Sequence, residues 1–421
     1  MKEQLRMTKN GIAVYSYPNC HLHSFCIALY VKAGCLYESE EDNGITHLLE
    51  HLVFRNIDKK MNGQMYRVLD RCGLSFNAST YKEFVQFLIT GAPAYYEQAV
   101  EIIARIFDPL TLTAEQIEIE KQRVKAEIRE KEYEKSLDCF TDQIIWKGTH
   151  LTRDIAGKIG LLNKMGQRRL TEAQKQLFDK KNIFFYLTGN VGEKEIDTLC
   201  QTLEPIDWLR DSEEKHENLA DVFFNRNGEI KIKNSEYCYI RFSFDIDVAK
   251  YKNAELDLLY DILFSGDSCV VYQELSEKSG LIYSFDARFE QYRNIGNLHF
   301  SYEVRHNNLL ESVRIIIEKL HDLKKGMEER LLYALPPYVD NAYIMYDDVD
   351  DFNWCFAYEN HILECGYENI EDRKEAYRGV TAKRLNQVAN EILRKENLTV
   401  TLKGQKKKIN TDELEKLVKN L

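Results

Sequence analysis

The chain lacks any long apolar run. Nowhere in its 421 residues is there a stretch near the roughly 18 apolar residues that a membrane-spanning helix requires. The opening segment, MKEQLRMTKNG, also has no apolar core of the kind found in secretory signal peptides. These two absences predict a cytoplasmic protein that has no membrane partner.

Paired cysteines and an excess of basic residues are also missing. Ten cysteines are scattered along the chain without a C-x-x-C pair. This pattern predicts reduced, mostly buried thiols and argues against a disulfide framework or a structural zinc site. The net charge of −11 argues against general nucleic-acid binding, and it favours cationic peptides if acidic side chains line a cavity.

What the chain does have is the composition of a soluble globular protein. Hydrophobic residues make up 44% of it and charged residues 30%, and its length is enough for two domains. Strand-like and helix-like segments follow one another without a regular β-α-β alternation. This order predicts the α+β fold class.

A polar stretch divides the chain near its middle. The segment 208–226, which contains RDSEEKHEN, is predicted to link an N-terminal metal-binding domain at 1–207 to a C-terminal domain at 227–421. Two pairs of segments match across this linker. They are AVEIIARIF with SVRIIIEKL, and Leu187-Thr188-Gly189 with Leu402-Lys403-Gly404. The matches predict two similar, duplicated domains, each an antiparallel-rich sheet packed with helices. Two unrelated α+β domains are the alternative.

The run ITHLLEHLVF at 45–54 carries the strongest chemical signal. Its leucines form an apolar stripe, and no glycine or proline interrupts it, so a helix is predicted. His47 and His51 then lie one turn apart on one face, where two imidazoles can bind one metal ion. Glu50 stays close to that face and completes the H-x-x-E-H order. The plain alternative is a helix with two solvated histidines and a glutamate.

A catalytic zinc needs a third protein ligand and an open fourth position. The charged run at 115–135 is also helical in pattern, and it places Glu127 76 residues after His51. Glu120 lies two turns before Glu127 on the same face. Such a helix on its own is usually a solvated surface helix. The two segments together indicate a zinc site.

These motifs resemble those of the insulinase, pitrilysin and mitochondrial processing peptidase family of inverzincin zinc metallopeptidases, in its short, two-domain bacterial form. The resemblance covers nearly the whole chain. Besides the two metal segments, it includes Asn10-Gly11, Asn77-Ala78-Ser79-Thr80 and Thr188-Gly189-Asn190-Val191.

The resemblance implies a role for each matching residue of the metal segments. His47, His51 and Glu127 are expected to bind Zn²⁺. Glu50 is expected to act as general base on the zinc-bound water. Glu120 is expected to support the site without binding the metal.

The resemblance also implies a mode of peptide binding. Asn77 and Ala78 lie on the stretch that, in the family, pairs with the main chain of the substrate as an added strand. This mode recognises the main chain of the substrate more than its side chains, so it suits unfolded peptides. An ordinary turn is the other interpretation of this asparagine.

The second half departs from the family. The segment 263–283 resembles the stretch that in active members holds an arginine and, seven residues later, a tyrosine. Tyr283 matches the tyrosine and is expected to donate a hydrogen bond to the reacting carbonyl, unless it is a core residue. Ser276 stands at the arginine position, and serine cannot replace a guanidinium group. Lys278 and Arg288 are candidates for compensation.

The metal-helix positions also differ in the second half. They become Tyr260 and Phe264, so the second half is expected to bind no metal there.

The expected function is that of a zinc-dependent endopeptidase that hydrolyses peptides or unfolded polypeptide segments. Members of the family enclose the substrate between four such domains, so a two-domain chain implies a homodimer or a heterodimer with a related subunit. The missing arginine favours a partner that completes the site. Two alternatives stay open: a non-catalytic or partner-dependent subunit, and a peptide-binding module that holds zinc.

Overall fold

The structure, a computed structural model, describes residues 2–132, 135–212, 226–292 and 294–421. Contacts within the chain form two units. The first consists of the described residues of 1–132, 153–217 and 343–370, and the second consists of those of 133–152, 218–342 and 371–421.

The strands and helices are numbered in chain order. The strands are β1 Gln4–Met7, β2 Ala13–Pro18, β3 Phe25–Val31, β4 Ser75–Thr80, β5 Val85–Gly91, β6 Ile183–Gly189, β7 Glu229–Asn234, β8 Tyr239–Ile246, β9 Phe285–Gln291, β10 Gly296–Glu303 and β11 Leu398–Gly404. The helices are α1 Ile45–Lys60, α2 Met65–Cys72, α3 Tyr96–Ala104, α4 Ala114–Lys131, α5 Leu137–Ile145, α6 Ile159–Leu162, α7 Gln167–Leu177, α8 Glu193–Leu203, α9 Asn253–Phe264, α10 Leu309–Leu323, α11 Glu328–Ala334, α12 Pro336–Val339, α13 Ala342–Asp347, α14 Val349–Ala357, α15 Ile370–Arg378, α16 Ala382–Ile392 and α17 Thr411–Lys419.

The first unit is built on a six-stranded sheet in the order β1-β2-β6-β3-β5-β4. Neighbouring strands are antiparallel except β2 and β6, which are parallel. Among the described strands, β4 therefore lies at one edge of the sheet and pairs only with β5. Its outer backbone groups are open to pairing with another strand.

Helix α1 packs on the apolar face of this sheet. Leu48 and Leu52 of α1 are fully buried in one cluster with Ile27 and Leu29 of β3. The pattern follows from α1 itself, because its leucines recur at helical spacing and turn one side of the helix toward the core. The opposite side of α1 is left for polar residues.

The other face of the first sheet is covered by α14. Asn353 of this helix accepts a hydrogen bond of 3.1 Å from the hydroxyl of Tyr30, and its side-chain amide donates to the carbonyl of Tyr186 at 2.9 Å. Strand β3 is consequently buried along its whole length. Coverage on both faces explains why its sequence, FCIALYV, is nearly continuous in apolar residues.

The second unit repeats this architecture. Its sheet has the order β7-β11-β8-β10-β9, with β7 parallel to β11 and the other pairs antiparallel. This is the order of β2-β6-β3-β5-β4, strand for strand. The matched tripeptides end β6 and β11, and the matched helical segments lie in and just after α3 and within α10. The predicted α+β fold with two similar domains is confirmed.

Neither unit is one continuous piece of chain. The sequence predicts domains at 1–207 and 227–421, whereas residues 135–152 pack in the second unit and residues 343–370 pack in the first. In the second unit, α5 lies on the sheet, where Arg241 donates to Asp138 at 2.7 Å. The predicted linker falls mostly on 213–225, outside the described residues. The boundaries between the duplicated domains stay a prediction.

Among the described residues, no helix combines the length and the apolar character needed to cross a membrane.

Candidate metal centre

The three candidate metal-binding and catalytic side chains of helix α1 lie on the side of the helix that faces α4. His47 is buried, while Glu50 and His51 are partly buried. The ring centroids of His47 and His51 are 4.9 Å apart, with the ring planes at 83°. The spacing of four residues therefore brings both imidazoles to one place, as the H-x-x-E-H order predicts.

Glu127 of α4 meets both histidines. Its Oε2 lies 3.6 Å from Nε2 of His47 and 3.7 Å from Nε2 of His51. One ligand atom from each of the three residues lies within 4.8 Å of the others, and the described residues contain no other such group of three or more. Ligand atoms about 2.1 Å from a tetrahedral zinc are about 3.4 Å apart, so this set of two nitrogens and one oxygen fits zinc.

The electrostatic setting suits metal binding by His47. Burial, and then the proximity of His51, lower the pKa of His47. A neutral imidazole has a lone pair for a metal, whereas an imidazolium has none.

Glu120 lies beside the ring nitrogen of His51 that does not face Glu127. Its Oε2 lies 3.6 Å from Nδ1 of His51, on the side of the ring away from Glu127. Its carboxylate is almost fully buried and also accepts hydrogen bonds from Arg55 and Arg123. Burial raises the pKa of Glu120, but the neighbouring His51 imidazole and the guanidinium groups of Arg55 and Arg123 outweigh burial and lower the pKa. An ionised carboxylate at this position favours a proton on Nδ1 of His51, a tautomer in which Nε2 can bind a metal.

Glu50 lies beside this group without being part of it. Burial raises the pKa of Glu50, and a hydrogen bond from Thr80 opposes the rise. The hydroxyl of Thr80 donates to Oε2 of Glu50 at 2.6 Å. A carboxyl group with a raised pKa, close to a metal position, suits proton transfer.

Three residues of the site are absent from the sequence-based prediction: Arg55, Thr80 and Lys131. Nζ of Lys131 lies 2.5 Å from Oε1 of Glu127, the oxygen that is not used toward the histidines. A helical spacing of four residues, from His51 to Arg55 and from Glu127 to Lys131, is the signal that could have identified two of them. Thr80 belongs to the matched Asn77-Ala78-Ser79-Thr80, but sequence alone does not indicate its contact with Glu50.

Asn77 and Ala78 lie in the edge strand β4. Asn77 is exposed, Ala78 is partly buried, and the amide of Asn77 donates to Ser75 Oγ at 3.3 Å. The alternative interpretation of Asn77 as a turn residue is wrong, because β4 pairs in register with β5 along its whole length.

The residues predicted from the second half belong to the second unit. Tyr283 is 96% exposed, so its interpretation as a core residue is wrong. Ser276 lies in a π-helical turn, Tyr272–Glu277. Lys278 is paired with Glu274 at 2.8 Å, and Arg288 with Asp286 at 3.4 Å. Both candidates for replacing the missing arginine thus have acidic partners in their own unit.

The chain is similar to proteins that are named as zinc proteases. Residues 16–158 match the insulinase family, peptidase family M16, and residues 165–335 match the peptidase M16 inactive domain. The chain is 24% identical to the uncharacterized zinc protease YmxG of Bacillus subtilis over 322 residues, which cover 75% of this chain and 77% of that protein. It is 26% identical to the beta subunit of the mitochondrial-processing peptidase of Mus musculus over 200 residues, or 47% of this chain and 41% of that one.

A solved structure shares the fold. A protease from Helicobacter pylori aligns with a TM-score of 0.81 at 19% identity, over 96% of this chain and 99% of that chain. The two family matches together span most of the present chain, and the predicted resemblance is confirmed. The chain belongs to the insulinase family of peptidases, family M16, and its cofactor is zinc.

Proposed function

We propose that this protein is a zinc-dependent endopeptidase that hydrolyses peptides or unfolded polypeptide segments. The observation that carries the proposal is the convergence of His47, His51 and Glu127 within 4.8 Å, with Glu50 on the same helix face. Zinc, when bound, supplies a Lewis acid for water and for the scissile carbonyl.

The chain's own residues perform the proton transfers. His47, His51 and Glu127 hold the metal, and Glu120 keeps His51 in the required tautomer. Glu50 accepts a proton from the attacking water and donates it to the leaving amine. The hydroxyl of Thr80 holds the Glu50 carboxylate in place during both steps.

The edge strand β4 is the proposed platform for the substrate. A peptide that pairs with the outer side of β4, along Asn77 and Ala78, extends the sheet by one strand. Main-chain hydrogen bonds then supply most of the recognition, so many unstructured sequences fit. Because Thr80 belongs to the same strand and contacts Glu50, a peptide bound there lies next to the base.

A second chain is part of the proposal. Tyr283 is proposed to donate a hydrogen bond to the reacting carbonyl oxygen within a homodimer or a heterodimer with a related subunit. Lys278 and Arg288 pair with Glu274 and Asp286, and serine at position 276 cannot supply a guanidinium group, which favours a heterodimer whose partner brings the arginine. The relative from Mus musculus is itself named as a subunit. We also propose a cytoplasmic location, because ten scattered cysteines without a C-x-x-C pair are typical of a reducing compartment.

The proposal is tested by cleavage of a mixed set of unstructured peptides. The zinc-loaded protein is expected to cleave them, a chelator to stop cleavage, and added Zn²⁺ to restore it. Glu127→Gln is the matched control, because it keeps the shape of the ligand but weakens the metal site.

The proposal would be contradicted if the zinc-loaded chain bound peptides but did not cleave them, both alone and together with a related subunit. That result would favour a peptide-binding module. Cleavage only with the partner would establish the heterodimer.

A further inference from the structure

The metal-binding helix has no capping side chain of its own at its start. Gly44 is the residue that precedes α1, and glycine has no side chain with which to accept the free N–H groups of the first turn. Three N–H groups at this end of the helix have other acceptors. Ile45 donates to the carbonyl of Asp42 at 2.8 Å, while Gly44 and Thr46 donate to a residue outside the helix.

That residue is Glu38. Its Oε2 accepts the N–H of Gly44 at 2.8 Å, and its Oε1 accepts the N–H of Thr46 at 3.0 Å. Oε2 also accepts a hydrogen bond from the side-chain amide of Asn43 at 3.0 Å. Both carboxylate oxygens are thus engaged, and the second of these backbone N–H groups belongs to the residue just before His47.

Burial raises the pKa of Glu38, and the hydrogen bonds from Thr46, Asn43 and Gly44 oppose this rise by favouring the ionised carboxylate. The N-terminal end of a helix carries partial positive charge, and hydrogen bonds from N–H groups to a carboxylate are stronger than those to a neutral acceptor. Glu38 is only 6% exposed, so these hydrogen bonds are shielded from water. A cap from a residue six positions earlier is also a tertiary contact, because it ties the helix to the preceding loop.

The surroundings of Glu38 are closely packed. Arg153 donates to the carbonyl of Glu38, and the amide of Asn43 donates to the carbonyl of Asp154 at 2.8 Å. Gly44, at φ +93°, lies so close to this loop that a Cβ on it would be 2.5 Å from the carbonyl oxygen of Ala156. The start of α1 therefore has little freedom to shift.

We propose that Glu38 is a positioning residue of the zinc centre: its carboxylate fixes the first turn of α1 and with it the direction in which His47 presents Nε2. The inference rests on the metal site of the proposed function. Glu38 is a buried acid that is not a metal ligand. It acts on the metal site through the first turn of α1, which its carboxylate holds and which contains His47.

The test compares metal binding by the full-length wild-type chain, Glu38→Ala and Glu38→Gln. We expect Glu38→Ala to weaken Zn²⁺ affinity by about 10-fold or more, the range typical of residues that orient metal ligands. The visible absorption of bound Co²⁺ should also change, since it reports ligand geometry. Glu38→Gln keeps the volume and one acceptor oxygen, so its loss should be smaller.

A matched control separates positioning from general stability. Thr381 caps α16 in the second unit by accepting the N–H of Arg384 at 3.2 Å. Thr381→Ala should lower the melting temperature without changing Zn²⁺ affinity or the Co²⁺ spectrum. The inference would be overturned if both Glu38 variants bound Zn²⁺ as tightly as the wild type. It would also be overturned if Thr381→Ala changed the Zn²⁺ affinity and the Co²⁺ spectrum as much as Glu38→Ala does. These readouts do not depend on cleavage, so a failure of the proposed peptidase activity would be seen separately.

Discussion

The hydroxyl of Thr80 donates a hydrogen bond of 2.6 Å to the carboxylate of Glu50. Thr80 ends the edge strand β4, and Glu50 lies on the metal-binding helix α1. The contact therefore joins the proposed peptide-binding edge to the proposed base. A peptide paired with β4 lies in a fixed relation to Glu50 as long as this hydrogen bond holds.

Removing that hydroxyl should slow catalysis more than it weakens binding. Thr80→Val keeps the shape of the side chain and loses the hydrogen bond. A hydrogen bond to a charged group is worth about 1.5–3 kcal/mol, so kcat is expected to fall by about 10-fold or more, with KM nearly unchanged. Thr80→Ser keeps a hydroxyl and should retain most of the activity. Steady-state kinetics on one unstructured peptide measures kcat and KM. Equal kcat values for Thr80→Val and Thr80→Ser would contradict the role of the hydroxyl.

Glu120 should control zinc affinity although it is not a predicted ligand. Glu120→Gln removes the charge that holds the proton of His51 at Nδ1, and Zn²⁺ affinity should fall by about 10- to 100-fold. Competition with a metal-binding dye measures the change. Glu130→Gln, at an exposed position on the same helix, is the control and should leave the affinity unchanged. The same affinity in both variants would mean that Glu120 does not orient His51.

Glu83 should make folding stability depend on pH. Burial raises the pKa of Glu83 to about 8, against the opposing charge of Lys32. The folded chain therefore keeps a proton that the unfolded chain loses near pH 4.5. The contribution of Glu83 to stability is full below the unfolded pKa and is lost as the pH rises through about 8.

Glu83→Gln, which stays neutral, should flatten this decline. Each unit of pKa shift corresponds to about 1.4 kcal/mol, so urea denaturation at several pH values across the window resolves the difference. Parallel stability curves for the wild type and the variant would show that Glu83 is ionised in the folded protein.

Local sequence patterns predict much of the first unit. The spacing of leucines in α1 predicts the helix and the shared face of His47 and His51. These features depend on neighbours in the chain, so a periodic pattern is enough. The convergence of Glu127 on the histidines is different, because no periodic pattern relates side chains on two separate helices, and the role of Glu127 as a ligand is what the resemblance to a family implies.

Contacts between distant residues explain what the sequence does not predict. Glu38 as a cap for α1 and Thr80 as a partner of Glu50 depend on how loops and strands pack, and neither leaves a periodic signal. Contacts between distant residues also explain why residues 135–152 pack in the second unit and residues 343–370 in the first. Polar side chains such as Asn353 find their partners on a sheet made by residues more than 100 positions away.

If Glu50 is the base of a zinc peptidase, its carboxylate is required for cleavage but not for binding zinc or peptide. The wild type and Glu50→Gln are compared, both loaded with zinc, for cleavage of the same mixed set of unstructured peptides. Glu50→Gln should bind zinc and peptide as the wild type does and should cleave nothing. Cleavage by Glu50→Gln at the wild-type rate would contradict the role of Glu50 as the base.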